Sequence, residues 1–165
     1  MQASPIVTVN LWFDGPVLEQ PFVGLVASPV HWIFNKAAIV GGAATHLAIV
    51  TSGADELAAS DNEAVTRLTL KELERALPAA RGRRLLRSVV VREQRATFSL
   101  APGGPARPAA STGVPGFVVA GDWTGTGLPA TIEGAVASGH RAADLVIDAL
   151  QAGGSRGARV TVRSA

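Results

Sequence analysis

The stretch from Phe117 to Gly139 constrains the fold of this chain more than any other. Phe117-Val118-Val119-Ala120 is an apolar run of buried-strand length, and Asp122 stands at its carboxyl end. Gly121, Gly125 and Gly127 break the loop that follows, and a helix rich in small residues is predicted from near Pro129. Strand, carboxylate, glycine loop and helix together make a ligand-holding corner. In open α/β sheets ligands sit beyond the carboxyl ends of strands, where the next helix offers unpaired N–H groups and a partial positive charge.

Composition sets outer limits. The 165 residues are the size of one ordinary domain, and 47% hydrophobic content with a mean hydropathy of +0.27 excludes wholesale disorder. Fifteen Lys and Arg nearly balance thirteen Asp and Glu, so bulk charge does not indicate a nucleic-acid partner. The absence of cysteine excludes disulfides, thiolate nucleophiles and Cys-built zinc sites. Met1 to Pro5 has neither the basic nor the apolar region of a signal peptide, and the run Ala37–Val50 is too short to cross a bilayer. A cytoplasmic protein, soluble or at a membrane surface, is expected.

The amino-terminal half reads as an antiparallel sheet. Pro5–Asp14 alternates, with Ile6, Thr8 and Asn10 on one side and Val7, Val9 and Leu11 on the other, until Gly15-Pro16 stops it. Further strands are predicted at Phe22–Val26, His31–Phe34 and His46–Thr51, the last after the flexible Gly41-Gly42-Ala43-Ala44. Ser60 and Glu63 have capping-box spacing, and Val65, Leu68, Leu73, Ala76 and Leu77 recur at helical intervals up to Pro78. Arg83–Ser99 predicts one long strand or two, Ser88–Arg92 and Arg95–Leu100. Residues 101–116, rich in Gly, Pro and Ala, predict a loop or linker. In the final helix Ile132, Val136, Gly139, Ala143, Val146 and Leu150 form one apolar stripe, and beyond Leu150 a frayed tail is expected.

Two readings of Asp122 stand open on pattern alone. Its carboxylate can accept from sugar-like hydroxyls while N–H groups around Thr131 and Ile132 meet a carbonyl or anionic oxygen, as a flavin's ribityl chain and pyrimidine edge require. Alternatively it caps the loop amides of Thr124 and Gly125 as an Asx turn. His31, His46 and His140 lack metal-ligand spacing, so no metal site is expected and each imidazole is read as paired or solvated. Glu133 fits a dipole-favoured first-turn position, and Arg81, Arg83, Arg84 and Arg87 read as a solvated face, with peripheral contact to an anionic membrane as the competing use.

Ala120-Gly121-Asp122-Trp123-Thr124, then Thr126 to Val136 and Ser138-Gly139, resembles the carboxyl-terminal flavin motif of the amine oxidase and phytoene desaturase superfamily. More narrowly the chain resembles the squalene-associated FAD-dependent desaturases, or hydroxysqualene dehydroxylases of hopanoid synthesis. Ser4–Asp14, His31–Phe34, Arg95–Phe98 and Arg107-Pro108 fit that family's pattern, so the resemblance covers about residues 4–150.

The resemblance implies an FAD cofactor and an isoprenoid substrate. It places Asp122 against the ribityl and diphosphate part of FAD and Thr131 and Ile132 along the flavin ring, with Gly121, Trp123, Pro129 and Ala135 as further cofactor-binding positions. It assigns Trp12, Phe13, Trp32 and Phe34 to a substrate-domain sheet, with an apolar pocket or ordinary core packing as their two possible roles. The implied fold class is α+β: a mostly antiparallel substrate-domain sheet over residues 1–100 with a crossing helix, a linker over 101–116, the final strand and long helix of an incomplete FAD-binding domain over 117–150, and a flexible tail over 151–165. No catalytic residue stands out.

One departure limits the resemblance. The family's Gly-x-Gly-x-x-Gly unit, which holds the ADP half of FAD, has no counterpart: Gly125-x-Gly127 lacks the third glycine, and Gly41-Gly42 has no acidic residue at a following strand end. The sequence thus resembles the carboxyl-terminal part of such an enzyme. The alternatives are a non-catalytic remnant, a subunit needing a separately encoded nucleotide-binding partner, or another superfamily activity such as carotenoid desaturation or amine oxidation.

Overall fold

The computed structural model describes residues 2–42, 45–99 and 101–153, in two compact units divided between Ser99 and Leu100. Met1, Ala43, Ala44, Leu100 and the tail from Gly154 lie outside the described residues.

The first unit is a five-stranded antiparallel sheet with three helices. Its elements are β1 (Ala3–Phe13), β2 (Phe22–Gly24), β3 (Trp32–Asn35), α1 (Lys36–Val40), β4 (His46–Ser52), α2 (Asp55–Ala59), α3 (Asn62–Ala76) and β5 (Leu85–Phe98), with a single 3-10 turn at Pro78–Ala80. The spatial order is β2-β3-β4-β1-β5. β1 lies inside the sheet between β4 and β5 and has the cleanest alternation: Val7, Val9, Leu11 and Phe13 are all buried while Ile6, Thr8, Asn10 and Trp12 are half-buried. The buried set packs with Ile33, Leu47 and Ile49 of the neighbouring strands and with Leu57, Val65 and Leu73 of the helices.

β5 is one strand of 14 residues rather than two. The expected gap between Arg92 and Arg95 is real but local. Ser4 pairs Thr97 and Ile6 pairs Glu93, so the extra residues of β5 bulge out without ending the ladder.

α1 and α2 were not foreseen. α1 starts because the buried Asn35 side chain accepts from the N–H groups of Ala37 and Ala38 (3.1 and 3.3 Å) while its amide donates to Leu18 O (2.6 Å). α3 begins one residue later than the capping box implied. Asp61 is the cap, accepting from Ala64 N at 2.7 Å, while the Ser60 hydroxyl donates to Glu56 O and Glu63 pairs with Arg67. Asp outcompetes Ser here because its charged acceptor also meets the positive end of the helix. The helix stops at Ala76, ahead of Pro78.

The buried face of α3 carries two polar residues, Thr69 and Glu72. Thr69 Oγ1 donates to Val65 O, and Glu72 Oε2 accepts from Ser28 Oγ (2.8 Å) and from Arg75 (2.8 and 3.0 Å). These bonds, that from Ser28 foremost, hold the Glu72 carboxyl below its ordinary value of 4.5. A folded-state value below the unfolded one means that the stabilisation is fully present above pH 4.5 and is lost as pH falls through the lowered value. Glu72→Gln is expected to destabilise this unit by about 1–3 kcal/mol at neutral pH and to flatten its acid unfolding curve below pH 4.5, read by circular dichroism.

The arginine cluster is largely engaged within the unit. Arg81 donates to Glu74 O, Arg84 lies 3.9 Å from Asp14, and Arg87 sits over the Trp12 ring. No helix among the described residues is long and apolar enough to cross a membrane.

The second unit has one regular element, α4 (Ile132–Gly153), which starts later than Pro129 and extends past Leu150. Residues 101–116 form loop, as expected. The strand predicted at Phe117–Ala120 is reduced to one bridge, Val118 with Ser111, and Phe117 is 42% exposed. A strand needs ladder partners for its N–H and C=O groups, and among the described residues this segment has the bond from Val119 N to Ala110 O and turn bonds at Phe117, to Val114 O and from Thr112 Oγ1. The expected stripe of α4 is also not its packed face. Ile132, Val136, Gly139, Ala143 and Leu150 are exposed, and the helix is buried instead at Gly134, Ser138 and Ala142.

Candidate functional site

The loop after Ala120 is held against α4 by small residues. Gly121 N donates to Ser138 Oγ at 2.7 Å, and that hydroxyl donates in turn to Ala135 O within the helix. Ser138 is fully buried. Gly121 has a φ of +150°, and a Cβ there would overlap the Trp123 indole. Thr124, also buried, closes the turn with both its N–H and its hydroxyl on Gly121 O. Gly125 N reaches Pro108 O, Arg107 donates to Asp122 O, and Arg141 donates to Gly125 O.

These bonds bear on the two readings of Asp122. The amides of Thr124 and Gly125 are satisfied by carbonyls, not by the Asp122 side chain. The half-buried carboxylate has no hydrogen bond or ion pair among the described residues, so the Asx cap is not formed. Its acceptor capacity is free for a ligand.

The start of α4 is equally open. Thr131 caps the helix, with Oγ1 accepting from Gly134 N at 3.2 Å and its carbonyl accepting from Ala135 N at 2.9 Å. Helical geometry leaves the first N–H groups, at Ile132 and Glu133, without intrahelical acceptors. Pro129, Thr131 and Ala135 are exposed, and Ile132 is 86% exposed. The positions expected to line a flavin ring therefore form an uncovered apolar edge beside unpaired donors. That chemistry fits a flat heteroaromatic ring with carbonyl oxygens at its rim. At the other end of α4 a cavity of about 290 Å³, lined by Val114, Phe117, Val118, Leu145 and Val146, contains no titratable group.

In the first unit the sheet face opposite the helices carries the aromatic residues. Trp32 lies 6.4 Å from Phe34, and Phe22 lies within 6.2 Å of both. Trp12 stacks on His46 at 4.2 Å, with the Arg87 guanidinium 5.0 Å above the Trp12 ring. Phe13 does not join them. One residue on from Trp12, it points to the other face and is 2% exposed in the core, which is the core-packing role of the two open to it and not a place in an apolar pocket.

Phe22, Arg87, Asn10 and His46 are members of this face that the sequence reading left out. Strand parity groups Asn10 with Trp12, but only the register, Trp12 opposite His46 and opposite Arg87, brings the others in. Burial, and secondarily Lys36, lowers the His46 pKa below 6.5 and favours the neutral imidazole. No group of three or more His, Cys, Asp or Glu that could hold a metal ion lies together among the described residues.

The sequence matches the family of flavin containing amine oxidoreductases over residues 1–147. The chain belongs to that family, whose members carry a flavin. Among its relatives are hydroxysqualene dehydroxylase from Sinorhizobium fredii, 38% identical over 143 residues, and hydroxysqualene dehydroxylase from Rhodopseudomonas palustris, 35% identical over 145. These alignments cover 86% and 87% of this chain and 32% of each relative. A 15-cis-phytoene desaturase from an Oncidium hybrid cultivar is 30% identical over 156 residues, covering 87% of this chain and 27% of its own length. The chain thus spans about a third of the length of the curated relatives it matches.

Proposed function

We propose that this chain forms the substrate-binding sheet and the flavin-facing carboxyl-terminal corner of an FAD-dependent oxidoreductase acting on an isoprenoid, with reductive removal of the hydroxyl of hydroxysqualene as its reaction. The observation that carries this reading is the Asp122 carboxylate, left without a partner among the described residues in a loop where the amides of Thr124 and Gly125 are satisfied by carbonyls. In this reading Asp122 accepts from ribityl hydroxyls, Gly121 lets the loop backbone approach, and the first N–H groups of α4 stabilise charge on the ring's carbonyl edge. A reduced flavin held there would supply the hydride, the C–O bond being replaced by C–H and the hydroxyl leaving with a proton as water. The Trp12, Trp32 and Phe34 face offers the hydrocarbon a dry, polarisable surface.

A second reading concerns how the chain works rather than what it does. The apolar residues Ile132, Val136, Ile147 and Leu150 are about half exposed or more along α4. Their exposure favours a chain that completes its cofactor site with a polypeptide bearing the Gly-x-Gly-x-x-Gly unit.

Purification together with the Gly-x-Gly-x-x-Gly-bearing amino-terminal segment of a relative, supplied as a separate polypeptide, is expected to give a yellow complex, whereas the chain alone is colourless. Asp122→Ala is expected to weaken FAD retention at least about tenfold, the loss of one or two charge-assisted hydrogen bonds. A complex that retains FAD equally well without the carboxylate overturns the role given to Asp122. Stoichiometric flavin on the lone chain overturns the need for a partner.

A further inference from the structure

Across the open sheet face, β-register arranges the side chains in three rows of graded polarity. Trp32, Val50, Thr8 and Val91 form the first, Phe34, Ala48, Asn10 and Val89 the second, and His46, Trp12 and Arg87 the third. Successive rows on one face are about 7 Å apart along the strands, so the three cover about 14 Å. One end is nearly hydrocarbon. At the other, His46 Nε2 lies 3.0 Å from Asn10 Oδ1.

That pair has capacity to spare. Asn10 Oδ1 carries only lone pairs, so His46 Nε2–H donates to it, and a neutral imidazole then presents Nδ1 as an acceptor. Asn10 Nδ2 keeps two donors. Neither Nδ1 nor Nδ2 has a partner among the described residues, and both side chains are half-buried beside the Trp12 ring. An acceptor and a donor side by side match a hydroxyl group, which both gives and receives a hydrogen bond. A pure hydrocarbon placed there would cover these groups without satisfying them.

We propose that Asn10 and His46 form a hydroxyl-recognition site, and that the aromatic face of this sheet selects an isoprenoid alcohol over the corresponding hydrocarbon. This rests on the reading above and assigns recognition of the substrate's hydroxyl to two side chains of the sheet. Trp12 and Arg87 bound the polar end, while Trp32, Phe34 and Val50 receive the hydrocarbon part.

The test is a tryptophan fluorescence titration of the full chain with farnesol and with farnesene, both delivered from the same detergent micelle. The alcohol is expected to bind about tenfold more tightly, the yield of one or two net hydrogen bonds. His46→Leu, and separately Asn10→Leu, should bring the ratio close to one and leave farnesene affinity nearly unchanged, whereas His46→Gln should keep part of the preference. The Asn10 variant guards against a folding defect in the His46 variant, and melting curves monitor both. Equal binding of the two probes by the native chain, or an equal loss for both in the variants, overturns the hydroxyl site while leaving an isoprenoid surface intact. Binding of neither probe overturns the isoprenoid reading along with it.

Discussion

Leu11→Ala should lower the stability of the sheet unit by about 2–5 kcal/mol, the range for deleting a fully buried Leu side chain. Leu11 is inaccessible in β1, an interior strand, opposite Leu47 on one side and Ser88 on the other. Its neighbours Val9 and Phe13 are fixed by the same ladder, so the space it vacates cannot collapse. For a unit of roughly a hundred residues that loss lowers the melting temperature by about 10 °C or more. Leu86→Ala, at a side chain 57% exposed on the edge strand, is the control, expected within about 0.5 kcal/mol of the native chain. Thermal unfolding followed by circular dichroism distinguishes them, and similar losses for the two would mean that β1 is not the centre of the core.

Gly134→Ala should displace the first turn of α4. A Cβ at Gly134 would stand 2.6 Å from Pro129 O, and because that neighbour is backbone no rotamer change relieves the overlap. The cost is about 1–3 kcal/mol. With the proposed flavin-facing residues Thr131 and Ile132 in that turn, FAD retention by the complex should fall at least about tenfold. Gly139→Ala supplies the opposite sign. Nothing lies within 4 Å of its would-be Cβ, so helix propensity alone should stabilise α4 by up to about 1 kcal/mol without loss of flavin. If Gly134→Ala retains flavin as well as Gly139→Ala does, the start of α4 is not part of the cofactor site.

The sheet was legible from local pattern because β1 alternates strictly and because Gly15-Pro16 and Pro78 end their elements by sterics that need no tertiary partner. The α+β class and the long final helix followed from the same periodicities. What pattern could not supply was register. Nothing in the local sequence says that His46 lies against Trp12, or that Asn10 reaches it diagonally, since pairing between strands far apart in the chain is decided by the whole sheet. The Phe117–Ala120 strand failed for a related reason: its apolar composition is a promise of neighbours, and among the described residues only Ser111 bridges it. The stripe of α4 was legible as apolar, but not that the helix packs through Gly134, Ser138 and Ala142 instead, whose small side chains allow closer backbone approach than Ile132 and Val136 do. At the candidate site, the sequence left the use of Asp122 open. The carbonyls of Gly121 and Pro108, which satisfy the amides it was expected to cap, are visible only in three dimensions.

The long outer strand has a bearing on how copies of the chain can meet. β5, 14 residues long, is the outer strand of the sheet on one side, the position from which a sheet can template strand addition. Along it stand Arg87, Arg92, Glu93 and Arg95, with a bulge after Glu93 and Arg92 tied back to Asn62 and Ser60 O. Charge, kink and tether each spoil the flat docking on which fibril growth depends. Crowding of this polypeptide should therefore yield soluble clusters joined through the greasy side of α4, and not ribbons that lengthen edge to edge.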